Sequence, residues 1–135
     1  MEKREIIQGQ VVAKANNYEL VPDGAGGHRM IKSEQVREYE RTFIEQCKVY
    51  KDKLIATPFN LDIDVYMTSW KFDLDNSLKT VLDCLQYCHA ITDDNMCKHI
   101  TATKYVDRYH PRIEFTIQEI NEQTNLFDYG NDKNY

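Results

Sequence analysis

No run of apolar residues in these 135 positions approaches the roughly 20 that a helix needs to cross a bilayer. The opening residues, Met-Glu-Lys-Arg-Glu, hold no apolar signal region and lead straight into a strand-like segment. A cytoplasmic protein with no membrane partner is the expectation. Cysteine is sparse: Cys47, Cys84, Cys88 and Cys97 are the only four. Without an export signal they are read as reduced thiols rather than a disulfide framework. Internal repeats and heptads are missing. So is a surplus of basic charge, since 17 Lys and Arg stand against 22 Asp and Glu for a net −5. That balance weighs against a broad cationic footprint of the kind nucleic-acid partners require. The deficit is partly local. Residues 119–135 carry Glu119, Glu122, Asp128 and Asp132 against Lys133 alone, and without them 16 basic residues face 18 acidic ones.

What is present suits one folded domain over residues 1–120, followed by a polar tail over 121–135. With 41% hydrophobic and 29% charged residues the composition is ordinary for α/β or α+β proteins, and the length can bury a core unaided. Ile6 to Ala13 reads as a first strand. Pro22-Asp-Gly-Ala-Gly-Gly27 is a loop, and His28 to Ile31 a short strand. Ser33 is a good N-cap for a helix reaching about residue 53, with Val36, Tyr39, Phe43, Ile44, Cys47 and Tyr50 on its apolar face. Leu61-Asp-Ile-Asp-Val-Tyr-Met67 alternates as a half-buried strand does. A second helix follows with Leu74, Leu78, Val81, Leu82 and Leu85 as its stripe. Strands over 96–106 and 112–120 complete a small mixed sheet of about four to five strands, with Tyr109-His-Pro111 as the turn between them.

The chemistry concentrates in Lys71-Phe-Asp-Leu-Asp-Asn-Ser-Leu-Lys79 and in Asp93-Asp94. Asp73 and Asp75 fall where strand gives way to helix, so two carboxylates can address one point, and Asp94 can supply a third from beyond the helix. Clustered carboxylates repel one another unless a cation sits among them. Oxygen-only ligands suit a hard ion such as Mg²⁺ or Mn²⁺. Lys79, one turn beyond Asp75, is suited to a phosphate. The plainer account is that Asp73 and Asp75 cap a helix and that Asp93-Asp94 marks a turn. Lys79 would then be an exposed ion pair with Asp75 or Asp83, contributing a few tenths of a kcal/mol. Asn76 shapes the turn, and Asp83 orients Lys79 or the helix. Cys84, Cys88, His89, Cys97 and His99 are the right residue types for zinc. However, Cys84 and Cys88 lie four apart beside the apolar stripe and read instead as small buried hydrophobes. Lys14, Arg29, Lys32, Lys71, Lys98, Lys104, Arg108 and Arg112 are candidates for phosphate contacts. Tyr18, Phe72 and Tyr105 are candidates for a wedge against bases.

The run Asp73-Leu-Asp-Asn76, Lys79, Asp83-x-Leu85 and Asp93-Asp94 resembles RusA-type Holliday junction resolvases. Asn16-Asn17-Tyr18, and Lys32-Ser33 opening a helix that contains Tyr39, fit the same order over roughly residues 10–120. The resemblance implies a small mixed α/β fold acting as a homodimer, of bacterial or prophage origin, that makes Mg²⁺-dependent paired nicks in four-way DNA junctions. It maps the catalytic aspartates onto Asp73, Asp75 and Asp94, with Asp93 beside them, and the catalytic lysine onto Lys79. Two other classes stay open: a non-catalytic junction-binding or interaction protein of the same fold, and a metal-dependent nucleotide phosphohydrolase.

Overall fold

The computed structural model describes residues 3–14 and 18–120. Asn16, Asn17 and the tail over 121–135 lie outside the described residues. Six strands and two helices follow the order β1 (Glu5–Gln8), β2 (Tyr18–Pro22), β3 (His28–Lys32), α1 (Glu34–Gln46), β4 (Phe59–Met67), α2 (Leu74–Tyr87), β5 (Cys97–Val106) and β6 (Arg112–Glu119). A single 3-10 turn, Asp94–Met96, leads into β5. This is the α+β arrangement anticipated from the sequence.

Four strands form one mixed sheet in the order β1-β6-β4-β5, with β4 and β5 parallel and the other neighbours antiparallel. Parallel neighbours need a crossover, and α2 supplies it. Along β4 the alternation holds without a break: Phe59, Leu61, Ile63, Val65 and Met67 are buried, while the residues between them face outward. Ile113, Phe115 and Ile117 of β6 and Ile7 of β1 extend the same apolar face. Onto it pack Val36, Tyr39 and Phe43 of α1 and Val81, Cys84 and Leu85 of α2. Phe43 and Tyr50 stack against Phe115, with ring centroids 6.0 and 5.8 Å away. The opposite face is polar, where Arg4 bonds Asp64 at 2.5 Å and Arg112 lies 3.8 Å over the Tyr66 ring.

Four elements depart from the sequence expectation. The first strand stops at Gln8 because Gly9 takes φ +103 and donates to the Pro111 carbonyl, so Val11 is buried from irregular backbone. Tyr18–Pro22, where the sequence pointed to no strand, pairs with β3 as a separate two-stranded ribbon. Ser33 caps α1 as expected, its Oγ accepting from the Val36 N–H, but the helix ends at Gln46 rather than near 53. There the carboxylate of Glu5 accepts from the N–H groups of Lys48, Val49 and Tyr50 at 2.9, 2.7 and 3.3 Å. Those donors would otherwise have continued the helical ladder. Cys47 and Tyr50 remain buried, as expected, though from the loop. The stripe of α2 is also rotated: Ser77, Thr80, Val81, Cys84 and Leu85 are its buried residues, while Leu74, Leu78 and Leu82 are half-buried.

Candidate active site

The end of β4 delivers the chain through residues 68–72 to the first turn of α2. Lys104 of β5 fastens that approach, its ammonium donating to the backbone carbonyls of Trp70, at 2.8 Å, and Phe72. Asp73 then stands at the N-cap with extended backbone (φ −87, ψ 132), the position where an aspartate ordinarily accepts from an N–H of the first turn. Its side chain makes no such bond. Its contact is with the Asn76 side-chain amide at 3.3 Å, while its backbone carbonyl accepts from the Ser77 hydroxyl. Asp75, one residue into the helix, is exposed and its carboxylate has no partner among the described residues. Two carboxylates at one helix start therefore do no capping.

The second acidic pair divides its work differently. Asp93 caps the 3-10 turn, accepting from the Asn95 N–H at 3.0 Å. Asp94 is turned the other way and meets the Lys79 ammonium at 3.2 Å, while its own N–H donates to the Gln86 side chain. Asp75, Lys79 and Asp83 are spaced four apart, so they share one stripe of α2. Lys79 is also 3.0 Å from Asp83 Oδ1. These hydrogen bonds, Asp83's foremost, raise the pKa of Lys79 above the ordinary lysine value.

Behind this stripe runs a chain of alternating charge that the sequence reading did not assemble. Asp83 Oδ2 accepts from Lys14 at 2.6 Å, Lys14 also reaches Glu40 at 3.1 Å, and Lys32 closes on Glu40 at 3.1 Å. Both lysines lie over the Tyr87 ring, 5.1 and 4.7 Å from its centroid, and donate to its hydroxyl. Burial works against the charge of Asp83, but its bonds from Lys14 and Lys79 outweigh it and hold the carboxyl below its usual range. For Lys14, burial is likewise overcome by Asp83, Glu40 and Tyr87, which raise its pKa. Glu40 and Tyr87 were missed in the sequence. One signal was available: Glu40 interrupts the buried face of Val36, Tyr39 and Phe43, and a carboxylate there needs a cation.

Among the phosphate-contact candidates, Arg29, Lys71, Lys98 and Arg108 are exposed. Lys14 is not available for that role, being 8% exposed and surrounded by acceptors. Lys104 is spent on the turn before Asp73, Lys32 is paired with Glu40, and Arg112 is paired with Asp107 and Glu114. Of the wedge candidates, Tyr18 and Tyr105 are exposed, whereas Phe72 packs against the core.

Cys84 and Cys88 are buried, as expected of small hydrophobes. Burial pushes the Cys84 thiol up, against thiolate chemistry. Among the described residues no three of His, Cys, Asp and Glu converge as metal ligands would. The donors at the start of α2 are nonetheless of the right kind for a hard divalent cation, because Asp73 and Asp75 are oxygen ligands left free of capping duty. No helix is long and apolar enough to cross a membrane among the described residues. No curated protein matches the chain. The family model for endodeoxyribonuclease RusA matches residues 8–118.

Proposed function

Because the chain belongs to the RusA endodeoxyribonuclease family, Holliday junction resolvases that generally depend on a divalent metal, we propose that it nicks four-way DNA junctions with Asp73, Asp75 and Asp94 as metal ligands and Lys79 as the phosphate-facing cation. The observation that carries this assignment is the uncapped start of α2, where Asp73 holds the N-cap position and leaves the capping bond unmade. If both aspartates were there for the helix, that bond would be the first to form. Asp93 supplies the contrast. It does cap, which leaves Asp94 to face Lys79.

Mg²⁺, or Mn²⁺ in its place, is the cation this oxygen set suits; bound there, it would lower the pKa of an attacking water and neutralise a phosphate oxygen. The protein's own residues do the rest. Lys79, held between Asp83 and Asp94, offers a fixed positive charge to the phosphate as negative charge builds on it. Asn76 orients the Asp73 carboxylate by donating its side-chain amide to it. Lys71, exposed and two residues before Asp73, is a cation for the DNA backbone beside the site.

A homodimer suits the substrate, since a two-fold axis lets two sites address opposed strands of a symmetric junction. Strand β5 supports that reading: it is ten residues long, has one unpaired edge, and exposes Ile100, Tyr105 and Val106. The same reading places the protein in the cytoplasm of a bacterium, encoded by the host or a prophage. The test is cleavage of a synthetic four-way junction against a matched linear duplex, with Mg²⁺ or with EDTA. Paired nicks near the branch point only with metal are the expected result. Tight, salt-sensitive junction binding without cuts under any divalent metal would replace the enzyme with a junction-binding protein.

A further inference from the structure

We propose that Lys14 is a positioning residue for Lys79, acting through Asp83; this rests on the reading of Lys79 as the phosphate-facing cation. Lys14 comes from the irregular segment after β1, 69 positions before Asp83 in sequence. The residue is 8% exposed, and its ammonium is enclosed by Asp83 at 2.6 Å, Glu40 at 3.1 Å and the Tyr87 hydroxyl at 3.3 Å. Lys79 is its opposite, with 62% of its side chain exposed. A lysine that open ordinarily samples many rotamers, and immobilising it costs entropy.

Asp83 joins the two. One of its oxygens is taken by Lys14 and the other, 3.0 Å from Lys79, is thereby aimed along the surface of α2. Neutralising buried carboxylates does not by itself account for Lys14. Glu40 already has Lys32 at 3.1 Å, and Asp83 already has Lys79. What Lys14 adds is the link between these pairs. It fixes the rotamer of Asp83 from the interior, and so fixes where the Lys79 charge stands relative to Asp94 and the aspartates at the helix start.

The experiment is a double-mutant cycle on Lys14→Met and Lys79→Met, read by single-turnover junction cleavage with Mg²⁺ and by junction affinity. Lys14→Met should slow cleavage about ten- to hundredfold, the range a displaced catalytic group produces, with affinity unchanged. In the Lys79→Met background the same change should cost nothing further, because Lys14 acts only through that ammonium. Lys14→Arg should recover part of the rate. Additive losses would overturn the proposal, as would a loss of affinity at unchanged saturating rate, which would make Lys14 a phosphate contact instead.

If Lys14→Met alone fails to fold, Lys14→Met with Glu40→Gln removes one of the two carboxylates that lose a partner and is read in its place. A second readout stands apart from activity. The NMR signal of the Lys79 ammonium should move when Lys14 is replaced; an unmoved signal overturns the proposal. Should the wild-type chain cut no junction, the functional reading falls, and the ammonium signal alone still decides whether Lys14 positions Lys79.

Discussion

Asp73 has the backbone of a helix cap and the side chain of something else, and that mismatch sets the expectations at the scale of single residues. Asp73→Asn and Asp75→Asn keep shape and capping ability while removing charge. Each should abolish junction cleavage, leave junction binding in place, and shift stability by no more than about 0.5 kcal/mol in urea unfolding. Loss of folding together with cleavage would return both aspartates to a structural role. Tyr39 presents the reverse case. Its hydroxyl is buried with no hydrogen-bond partner among the described residues, and burial raises its pKa well above the ordinary tyrosine value. An unsatisfied buried hydroxyl costs about 1–3 kcal/mol, so Tyr39→Phe should raise the unfolding midpoint. A lowered midpoint would mean that the hydroxyl has a partner in solution.

At the scale of elements, what could be read in advance was whatever depends on near neighbours. The alternation in β4, the Ser33 cap and the aspartates opening α2 are local patterns, and all three stand where the sequence put them. The end of α1 was not legible, because its cause sits more than 40 positions away in Glu5. The three-and-four spacing through Cys47 and Tyr50 is real, but burial continues past the helix that suggested it. Strand β2 was missed for the opposite reason: its residues are mostly exposed on both faces, so there is no alternation to see. In the site, the DLDN run was conspicuous, while the ion chain behind it draws Lys14, Glu40 and Asp83 from separate parts of the sequence. Glu5 gives this level its prediction. Glu5→Ala strands three backbone donors around residues 48–50 and should cost about 2 kcal/mol or more, seen as a lower urea midpoint at unchanged slope. A midpoint matching wild type would show that the bend after α1 is held by other means.

For the whole molecule, the chain of charges makes stability depend on pH with a defined sign. Asp83 has a depressed folded pKa, so its contribution is complete above the ordinary carboxylate range and is lost as pH falls through the folded value. Lys14 is raised, so its share is complete below the ordinary lysine value and fades only as pH climbs through the folded one. Wild-type unfolding free energy should therefore fall between about pH 5 and 2 more steeply than that of Asp83→Asn. Parallel curves would show that Asp83 adds nothing to the acid limb.

The ribbon of β2 and β3 shares no sheet with the other four strands, and side-chain bonds such as Lys32 to Glu40 and Tyr87 tie its base to the helices. A two-stranded ribbon on its own is marginal in water. Its amides should therefore exchange with deuterium through local openings far cheaper than global unfolding, while those of β4 and β6 wait for the whole chain to open. The last lysine of the charge chain thus stands where backbone that opens locally is fastened to the helices packed on the main sheet.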